Sequence, residues 1–166
     1  GRVDAEGQPL GPWSIDGFKW FSSATDSQMS VLLAKMPDGS LSAFYAPMRQ
    51  QTTTSPSETE LNGIQIQRLK QKLGTRSLPT AELVLSNTRA YLIGAQGHGV
   101  KEISTILNIT RVHNAVSAVG FWGRGLAISR AFSRVRKTSG KLLIDTPAHV
   151  RTLAHQHVEY RAMMHL

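Results

Sequence analysis

Residues 111–136, RVHNAVSAVGFWGRGLAISRAFSRVR, contain no proline and carry an arginine at each end. The stretch predicts one continuous α-helix of about seven turns, roughly 37 Å long, because each turn takes about 3.6 residues. Arg111 and Arg136 would then leave the same face of the helix. This helix would organise the C-terminal part of the chain.

Small and apolar side chains divide the surface of the predicted helix. On the arginine face, mostly small residues surround one indole: Ala115, Ala118, Trp122, Gly125 and Ser129. Two apolar rows flank that face, one made of Val112, Val119 and Leu126 and the other of Phe121, Ile128 and Val135. A helix that is apolar on two sides is usually an inner member of a bundle. The pattern therefore predicts a helical bundle.

Three glycines interrupt the same stretch, Gly120, Gly123 and Gly125. Each weakens an isolated helix by about 1 kcal/mol relative to alanine. Their presence indicates close approach of a neighbouring helix or of a flat ligand, and tight helix packing alone is the simpler of the two interpretations.

Composition limits the classes of protein. The chain has 166 residues, 40% of them hydrophobic, which suits one or two small domains with a real core. It has no cysteine, which excludes disulfides, thiolate metal sites and a cysteine nucleophile. No apolar run is long enough to cross a bilayer. We therefore expect no membrane insertion and a soluble intracellular protein, with cytoplasm and mitochondrion undecided. Because the chain opens without Met and its last predicted helix runs toward Leu166 without an end signal, we expect a segment truncated at both ends.

Positive charge is concentrated in the second part of the chain. Residues 1–96 hold nine Lys and Arg against eight Asp and Glu, a net charge of +1, whereas residues 97–166 hold ten against three, a net charge of +7. All six histidines also lie in the second part. The asymmetry indicates either an anionic partner, such as nucleic acid or a phosphate-bearing cofactor, or a solvated basic surface without a partner.

The first 94 residues alternate short apolar runs with turn signals. Asp16-Gly17 predicts a hairpin between residues 13–15 and 18–22. Pro37-Asp38-Gly39 predicts a second hairpin between residues 31–36 and 41–48. Residues 49–62 read as a loop, and further strands are predicted at 64–69, 81–85 and 90–93. Together these form a small antiparallel sheet or barrel.

From residue 95 the pattern becomes helical. A glycine-rich hinge at residues 94–99 leads into a first helix that Asn108 is expected to stop or kink. Gly140 is expected at the C′ position of the long helix, and Thr146-Pro147 predicts the start of a last helix. The expected buried stripe of that last helix is Val150, Leu153, Ala154 and Val158. The predicted fold class is α+β, with a β-domain over residues 1–94 followed by part of a helical bundle over 95–166.

Several kinds of chemistry have no support. The glycines at 94–99 are spaced G-x-x-G-x-G and lie outside a βαβ pattern, so they do not form a dinucleotide fingerprint. No P-loop and no nucleophile-elbow serine is present. The histidines lack metal-ligand spacing, so we expect no metal site.

Three stretches resemble the flavin-dependent acyl-CoA dehydrogenases. Residues 16–22, DGFKWFS, are similar to the G-x-K-x-W-[IF]-[TS] strand of the family's middle β-domain. Residues 72–77, KLGTRS, with TAEL at 80–83 and LIGAQGHG at 92–99, resemble the run that leaves that domain. Residues 110–111 and 136–140 resemble the paired arginines and the R-x-x-F-G motif of the C-terminal bundle, although Ser139 replaces the aromatic residue. Within the family, IQIQRLKQKLGTRS at 64–77 most resembles the AidB-type branch of the adaptive alkylation response, and Pro147 fits it too.

The resemblance implies FAD as cofactor and assigns roles to matching positions. Trp20, Phe21 and Ser22 would line the isoalloxazine ring, and Arg136 would hold the FAD pyrophosphate. Asn108 and Arg111 would lie near the acyl or thioester end of the substrate pocket. The usual catalytic glutamate does not fall on any position of this segment, so no catalytic base is named. Without the resemblance, Trp20 would read as a core residue and Arg136 as a cation at a helix C-terminus.

The implied function is that of an FAD-binding fragment of an acyl-CoA dehydrogenase-like oxidoreductase, which acts on CH–CH bonds of acyl thioesters. The segment alone is expected to be inactive. The implied partners are acyl-CoA or a similar thioester and further copies of the parent protein, as a dimer or tetramer. The alternative is an AidB-type flavoprotein that binds double-stranded DNA and has little dehydrogenase activity.

Overall fold

A computed structural model of the protein describes residues 2–165, which divide into two compact units. The first unit extends to Thr105 and the second begins at Ile106. The strands are β1 (Trp13–Ser23), β2 (Met29–Lys35), β3 (Leu41–Pro47), β4 (Arg49–Gln51), β5 (Thr59–Leu61), β6 (Ile64–Leu69), β7 (Thr80–Ile93), β8 (Lys137–Thr138) and β9 (Lys141–Leu142). The helices are α1 (Gly99–Ser133) and α2 (Pro147–Met163), with a 3-10 turn at Leu143–Asp145. The α+β fold class is therefore confirmed.

The long strand β7 organises the first unit. It pairs antiparallel with β1, with β6 and with β3, and β3 in turn pairs with β2. Because β7 has 14 residues, it is long enough to pair with several strands along its length. The sheet curls around a core that includes Ile15, Leu32, Phe44 and Leu83. The predicted strands at 81–85 and 90–93 are one strand, because Asn87 adopts a positive φ of 51° within the ladder instead of ending it.

The two predicted hairpins have different outcomes. The turn at Pro37-Asp38-Gly39 is confirmed, since β2 and β3 pair in register and Gly39 has a φ of 82°. The hairpin at Asp16-Gly17 is wrong, because β1 runs straight through it and pairs with β7 along its whole length. Asp16-Gly17 instead forms an irregularity in the register, and the Asp16 carboxylate accepts a hydrogen bond from the backbone N–H of Asn87.

The predicted loop at residues 49–62 is partly wrong. Its two ends pair as the short ribbon β4–β5, and only the residues between them are irregular. Asn62 is fully buried where the ribbon meets the sheet. Its side-chain amide donates to the carbonyls of Pro47 and Arg89 and accepts the Arg89 N–H, so it holds three backbone segments together.

The long helix has different ends from those predicted. α1 begins at Gly99 and runs 35 residues without a break, so Asn108 neither stops nor kinks it. It ends at Ser133, which leaves Arg136 outside the helix and makes the predicted shared face of Arg111 and Arg136 wrong. The chain turns away because residues 137–142 pair as the hairpin β8–β9. Ser139 and Gly140 have φ values of 49° and 78°, as a two-residue hairpin turn requires, so Gly140 is not a helix C′ residue.

The last helix starts where predicted but is not buried. Thr146 is the N-cap of α2 and Pro147 its first residue. None of the described α2 residues is buried, so the buried stripe predicted from Val150, Leu153, Ala154 and Val158 is wrong for this chain by itself. The apolar rows of α1 are similarly exposed, except that Leu126 is buried and Val119 partly so.

The domain boundary predicted between residues 94 and 95 stays a prediction. The chain changes from strand to helix between Ile93 and Gly99. The first compact unit nevertheless includes the first turns of α1. A side chain at Gly99 would collide with the backbone of Ser42 and Ala43, so this end of the helix packs closely on β3.

Candidate functional site

A β-bulge near the end of β1 turns two aromatic rings outward. Lys19 pairs with Leu83 and Ser22 with Ala81, so Trp20 and Phe21 together oppose the single residue Glu82. In a regular strand one of two consecutive side chains would point inward. The extra residue of the bulge breaks that alternation, and Trp20 is 55% and Phe21 58% exposed.

Phe18 joins these rings to form a continuous apolar surface, which we call the aromatic wall (Phe18, Trp20 and Phe21). Phe18 and Trp20 have ring centroids 6.1 Å apart, and Trp20 and Phe21 lie at the same separation with their planes at 87°. All three rings are more than half exposed. A contiguous patch of exposed aromatic rings is typical of a surface that binds a ligand or another protein.

Positive charge lies directly against the aromatic wall. The Lys70 ammonium is 3.4 Å from the centroid of the Trp20 ring and 4.3 Å from that of Phe21. The same nitrogen donates to Glu82 Oε1 at 2.7 Å, and Arg68 Nε donates to that oxygen at 2.8 Å. The Lys70 hydrogen bond, aided by that of Arg68, holds the pKa of the Glu82 carboxyl below its usual value although burial opposes the shift. The cluster of Arg68, Lys70 and Glu82 thus carries a net positive charge.

The two serines after the wall point in different directions. Ser22, predicted to contact the flavin, is only 5% exposed. Ser23 is exposed, and its hydroxyl lies 3.2 Å from that of Thr80. Sequence reasoning did not select Ser23, Lys70 or Glu82. Strand alternation could have identified Ser23 as the exposed serine. The bulge between Lys19 and Ser22 changes which residues face outward, and a single sequence does not reveal the bulge.

Asn108, Arg111 and Arg136 lie in the second unit, apart in the chain from the wall. Asn108 and Arg111 are exposed on α1 and are three residues apart, so they share one helix face. Arg136 is exposed in the turn between α1 and β8. Its backbone N–H donates to Phe132 and its carbonyl accepts from Leu143, which fixes the backbone from which the guanidinium extends.

Helix packing accounts for one of the three glycines in α1. A side chain at Gly123 would collide with the ring of Tyr160 on α2, and that ring also packs edge-on against Trp122 with centroids 6.2 Å apart. Nothing lies within 4 Å of a Cβ built at Gly120 or Gly125. Close approach of a neighbouring helix is thus confirmed at Gly123.

A serine and a histidine meet in the second unit without forming a nucleophile. The buried Ser133 hydroxyl donates to the Ser129 carbonyl at 2.6 Å and lies 2.8 Å from His149 Nε2. Since a hydroxyl has one proton, His149 Nε2 must be the donor in the second contact. His149 therefore cannot accept the serine proton. Across residues 2–165, no group of three or more His, Asp or Glu side chains could hold a metal ion.

A separate cleft adjoins the aromatic wall at Phe18, and its lining does not include Trp20 or Phe21. It has a volume of about 600 Å³ and is lined by residues of β1 to β3, among them Trp13, Leu32 and Phe44. Lys19 also lines it, and burial lowers the pKa of its ammonium. The cleft is open, and the charged residues that line it are Asp16, Lys19 and Lys35. We therefore place the candidate site at the wall, where aromatic rings and charge meet.

Comparisons with known proteins agree with the fold. The family model of the acyl-CoA dehydrogenase C-terminal domain matches residues 97–166. The chain is 41% identical over 161 residues to acyl-CoA dehydrogenase family member 11 of Caenorhabditis elegans, covering 92% of the chain and 25% of the relative. It is 28% identical over 137 residues to the putative acyl-CoA dehydrogenase AidB of Escherichia coli, covering 82% of the chain and 24% of that relative.

Among solved structures, the chain resembles Caenorhabditis elegans ACDH-11 in complex with C11-CoA. The TM-score is 0.76 with 41% identity, over 89% of this chain and 26% of that one. The fold is that of the acyl-CoA dehydrogenases over this range, and the comparisons support that family for the chain. The chain spans about a quarter of the length of the curated relatives it matches. No helix among residues 2–165 is long and apolar enough to cross a membrane.

Proposed function

We propose that this chain supplies part of the FAD site of an acyl-CoA dehydrogenase-like oxidoreductase acting on the CH–CH bonds of acyl thioesters. The observation that carries the proposal is the aromatic wall, which the bulge in β1 exposes beside a net positive cluster. A flat redox ring needs an apolar surface to lie on and nearby positive charge to stabilise the electrons it receives. The residues present therefore fit an isoalloxazine ring.

In this proposal Trp20 and Phe21 bind the ring system. Ser22 is the matching position of the family motif. Because it is buried, it could approach the ring only from the inner side of the sheet. We add Ser23 as a second candidate donor because it is exposed beside the wall. When bound, FAD supplies the hydride acceptor for dehydrogenation. The protein's part is to hold the ring and exclude water from one of its faces.

Arg136 would bind the FAD pyrophosphate, because a guanidinium can donate two parallel hydrogen bonds to phosphate oxygens. It is exposed and therefore free to reach a ligand or another copy of the protein. Asn108 and Arg111 would contact the acyl-CoA thioester from one face of α1. Assembly as a dimer or tetramer is part of the proposal, since the exposed apolar rows of α1 need a covering partner. We propose no catalytic base among these residues.

Reconstitution with FAD tests this function. The purified protein should bind FAD and turn yellow. Arg136→Ala should weaken FAD binding by about tenfold or more, as expected for loss of a charge-assisted hydrogen bond. Arg134→Ala is the matched control, because it removes an exposed arginine two residues away. Absence of bound flavin, or equal affinities for the two variants, would contradict the assignment.

Ser22→Ala and Ser23→Ala form a second matched pair. The variant that removes the flavin contact should shift the flavin absorption spectrum, whereas the other should not. Because Ser22 is buried and Ser23 exposed, we expect the larger shift from Ser23→Ala.

The second candidate function is that of an AidB-type flavoprotein that binds double-stranded DNA. The observation that favours it is the net charge of +7 on residues 97–166. In the described part of the second unit, the arginines and lysines are exposed and the single ion pair is His155 with Glu159. Duplex DNA should then bind with an affinity that falls steeply between low and moderate salt. Weak binding that does not change with salt would eliminate this candidate.

A further inference from the structure

We propose that Lys70 is a positioning residue that holds the indole of Trp20 and the ring of Phe21 in place for a flat ligand on their outer side, while Glu82 anchors Lys70 from behind. The inference rests on the proposed flavin function and adds to it Lys70, a residue to which the resemblance assigned no role.

Lys70 is fixed at both of its ends. Its backbone N–H donates to the Thr80 carbonyl at 2.7 Å, which ties it to the first residue of β7. Its side chain is mostly buried, with only 11% of its surface exposed, and its ammonium donates to the buried Glu82 carboxylate. A lysine usually keeps its ammonium in water, so a mostly buried side chain with a paired ammonium indicates a defined position.

The ammonium contacts both rings of the bulge at once. Its distances to the Trp20 and Phe21 centroids, 3.4 and 4.3 Å, lie well within the range of cation–π attraction. Such a contact occupies one face of the indole. Since Trp20 is nevertheless more than half exposed, its remaining surface is open to a ligand. A ligand ring stacked there would have the indole between itself and the cation.

The charges around Lys70 are arranged to keep it in this position. Glu82 accepts from both Lys70 and Arg68, and because one carboxylate faces two cations it neutralises only part of their charge. The remaining positive charge lies behind the wall, where it stabilises negative charge on a ligand in front of it. Lys70 therefore both orients the rings and sets the sign of the electric field at the site.

Three variants separate this role from a general effect of charge. Lys70→Met removes the ammonium, and Lys70→Arg retains a cation that can pair with Glu82 and stack on the indole. Lys72→Met is the matched control, since it changes the net charge equally but Lys72 donates to the Leu78 carbonyl and not to a ring. Circular dichroism of each variant verifies folding.

The first measurement uses the unloaded protein and does not depend on flavin. Acrylamide quenching of Trp20 emission is obtained by subtracting the signal of a Trp20→Phe variant. Lys70→Met should increase this quenching, because the indole loses the ammonium that covers one face, whereas Lys70→Arg and Lys72→Met should leave it near the wild-type value. Equal quenching for Lys70→Met and Lys72→Met would overturn the proposal.

The second measurement is the affinity for FAD. Lys70→Met should weaken it by roughly two- to fivefold, the equivalent of one cation–π contact, and Lys70→Arg should restore it. A loss of affinity with unchanged Trp20 quenching would also overturn the positioning role, because Lys70 would then act on the ligand directly. If Lys70→Met alters the quenching but wild type binds no FAD, the proposed flavin function is wrong. The contact of Lys70 with the two rings is then still supported.

Discussion

The two units of this protein bury their apolar residues to very different extents. In the first unit, the inner side chains of β1, β2, β3, β6 and β7 form a continuous buried core. In the described part of the second unit, Leu126 and Ser133 are the only buried residues, although α1 carries large apolar side chains on two sides. The sheet is therefore stabilised by a core formed within this chain, whereas the described helices of the second unit leave most of their large apolar side chains exposed.

The largest expected change in the free energy of unfolding comes from replacing a buried phenylalanine of the first unit, and an exposed phenylalanine of the second unit serves as its control. Phe44 is 2% exposed at the centre of the sheet and Phe121 is 78% exposed on α1. Phe44→Ala should lower the free energy of unfolding by about 3–5 kcal/mol. Phe121→Ala should change it by less than about 0.5 kcal/mol. Denaturant unfolding followed by tryptophan fluorescence measures both, and comparable losses would contradict the contrast between the units.

The next largest loss of stability is expected from removing the buried side-chain amide of Asn62. Asn62→Ala would leave the carbonyls of Pro47 and Arg89 and the Arg89 N–H without their partner inside the fold. Unsatisfied buried groups cost about 1–3 kcal/mol each, and relaxation recovers part of that cost, so we expect a loss of about 2–3 kcal/mol. Asn114→Ala on the exposed surface of α1 is the control. A neutral Asn62→Ala would show that the amide does not hold the ribbon to the sheet.

Acid should destabilise the first unit through Glu82. Its pKa is lowered in the folded state, chiefly by Lys70, so between that lowered pKa and the ordinary value of about 4.3 the unfolded chain binds more protons. The stability that Glu82 contributes is therefore present above that ordinary value and is lost as the pH falls through the lowered pKa. Thermal unfolding from pH 7 to pH 2 should show a shallower acid loss for Glu82→Gln. Unchanged acid dependence would exclude Glu82 as a source.

The smallest effect is expected at the start of α2. Thr146 is the N-cap residue, but its hydroxyl makes no capping hydrogen bond and lies instead 3.4 Å from the Leu142 carbonyl. A typical N-cap threonine contributes about 1 kcal/mol. Thr146→Ala should therefore cost less than that, as measured by the helical signal in circular dichroism during unfolding. A full loss of about 1 kcal/mol would mean that the capping bond forms in solution.

Local patterns in the sequence predicted the elements that depend on local chemistry. Pro37-Asp38-Gly39 fixed a hairpin, and Thr146-Pro147 fixed a helix start, because turn and cap residues act within a few positions. The glycine-rich turn before Gly99 and the change from strand to helix followed for the same reason. The α+β class could be predicted because the two periodicities lie in separate parts of the chain.

Features set by pairing between distant residues could not be predicted. Asp16-Gly17 has the composition of a hairpin turn, but the ladder with β7 keeps β1 extended. The end of α1 is decided by the β8–β9 pairing instead of by a stop signal. At the site, the aromatic pair was found by resemblance, while Lys70 and Glu82 meet it only because β6 and β7 lie side by side. The bulge that exposes both rings leaves no mark in a single sequence.

Emission of FAD during titration with the purified protein tests most directly whether the aromatic wall binds flavin. An indole stacked on the isoalloxazine ring quenches flavin fluorescence, so wild type should quench it to a stoichiometric end point. Trp20→Leu should weaken the binding by about tenfold, as expected for loss of an aromatic contact, and should leave the bound flavin brighter, whereas Trp122→Leu should bind as wild type does. Flavin emission that wild type does not change, or that Trp20→Leu quenches equally, would contradict the account.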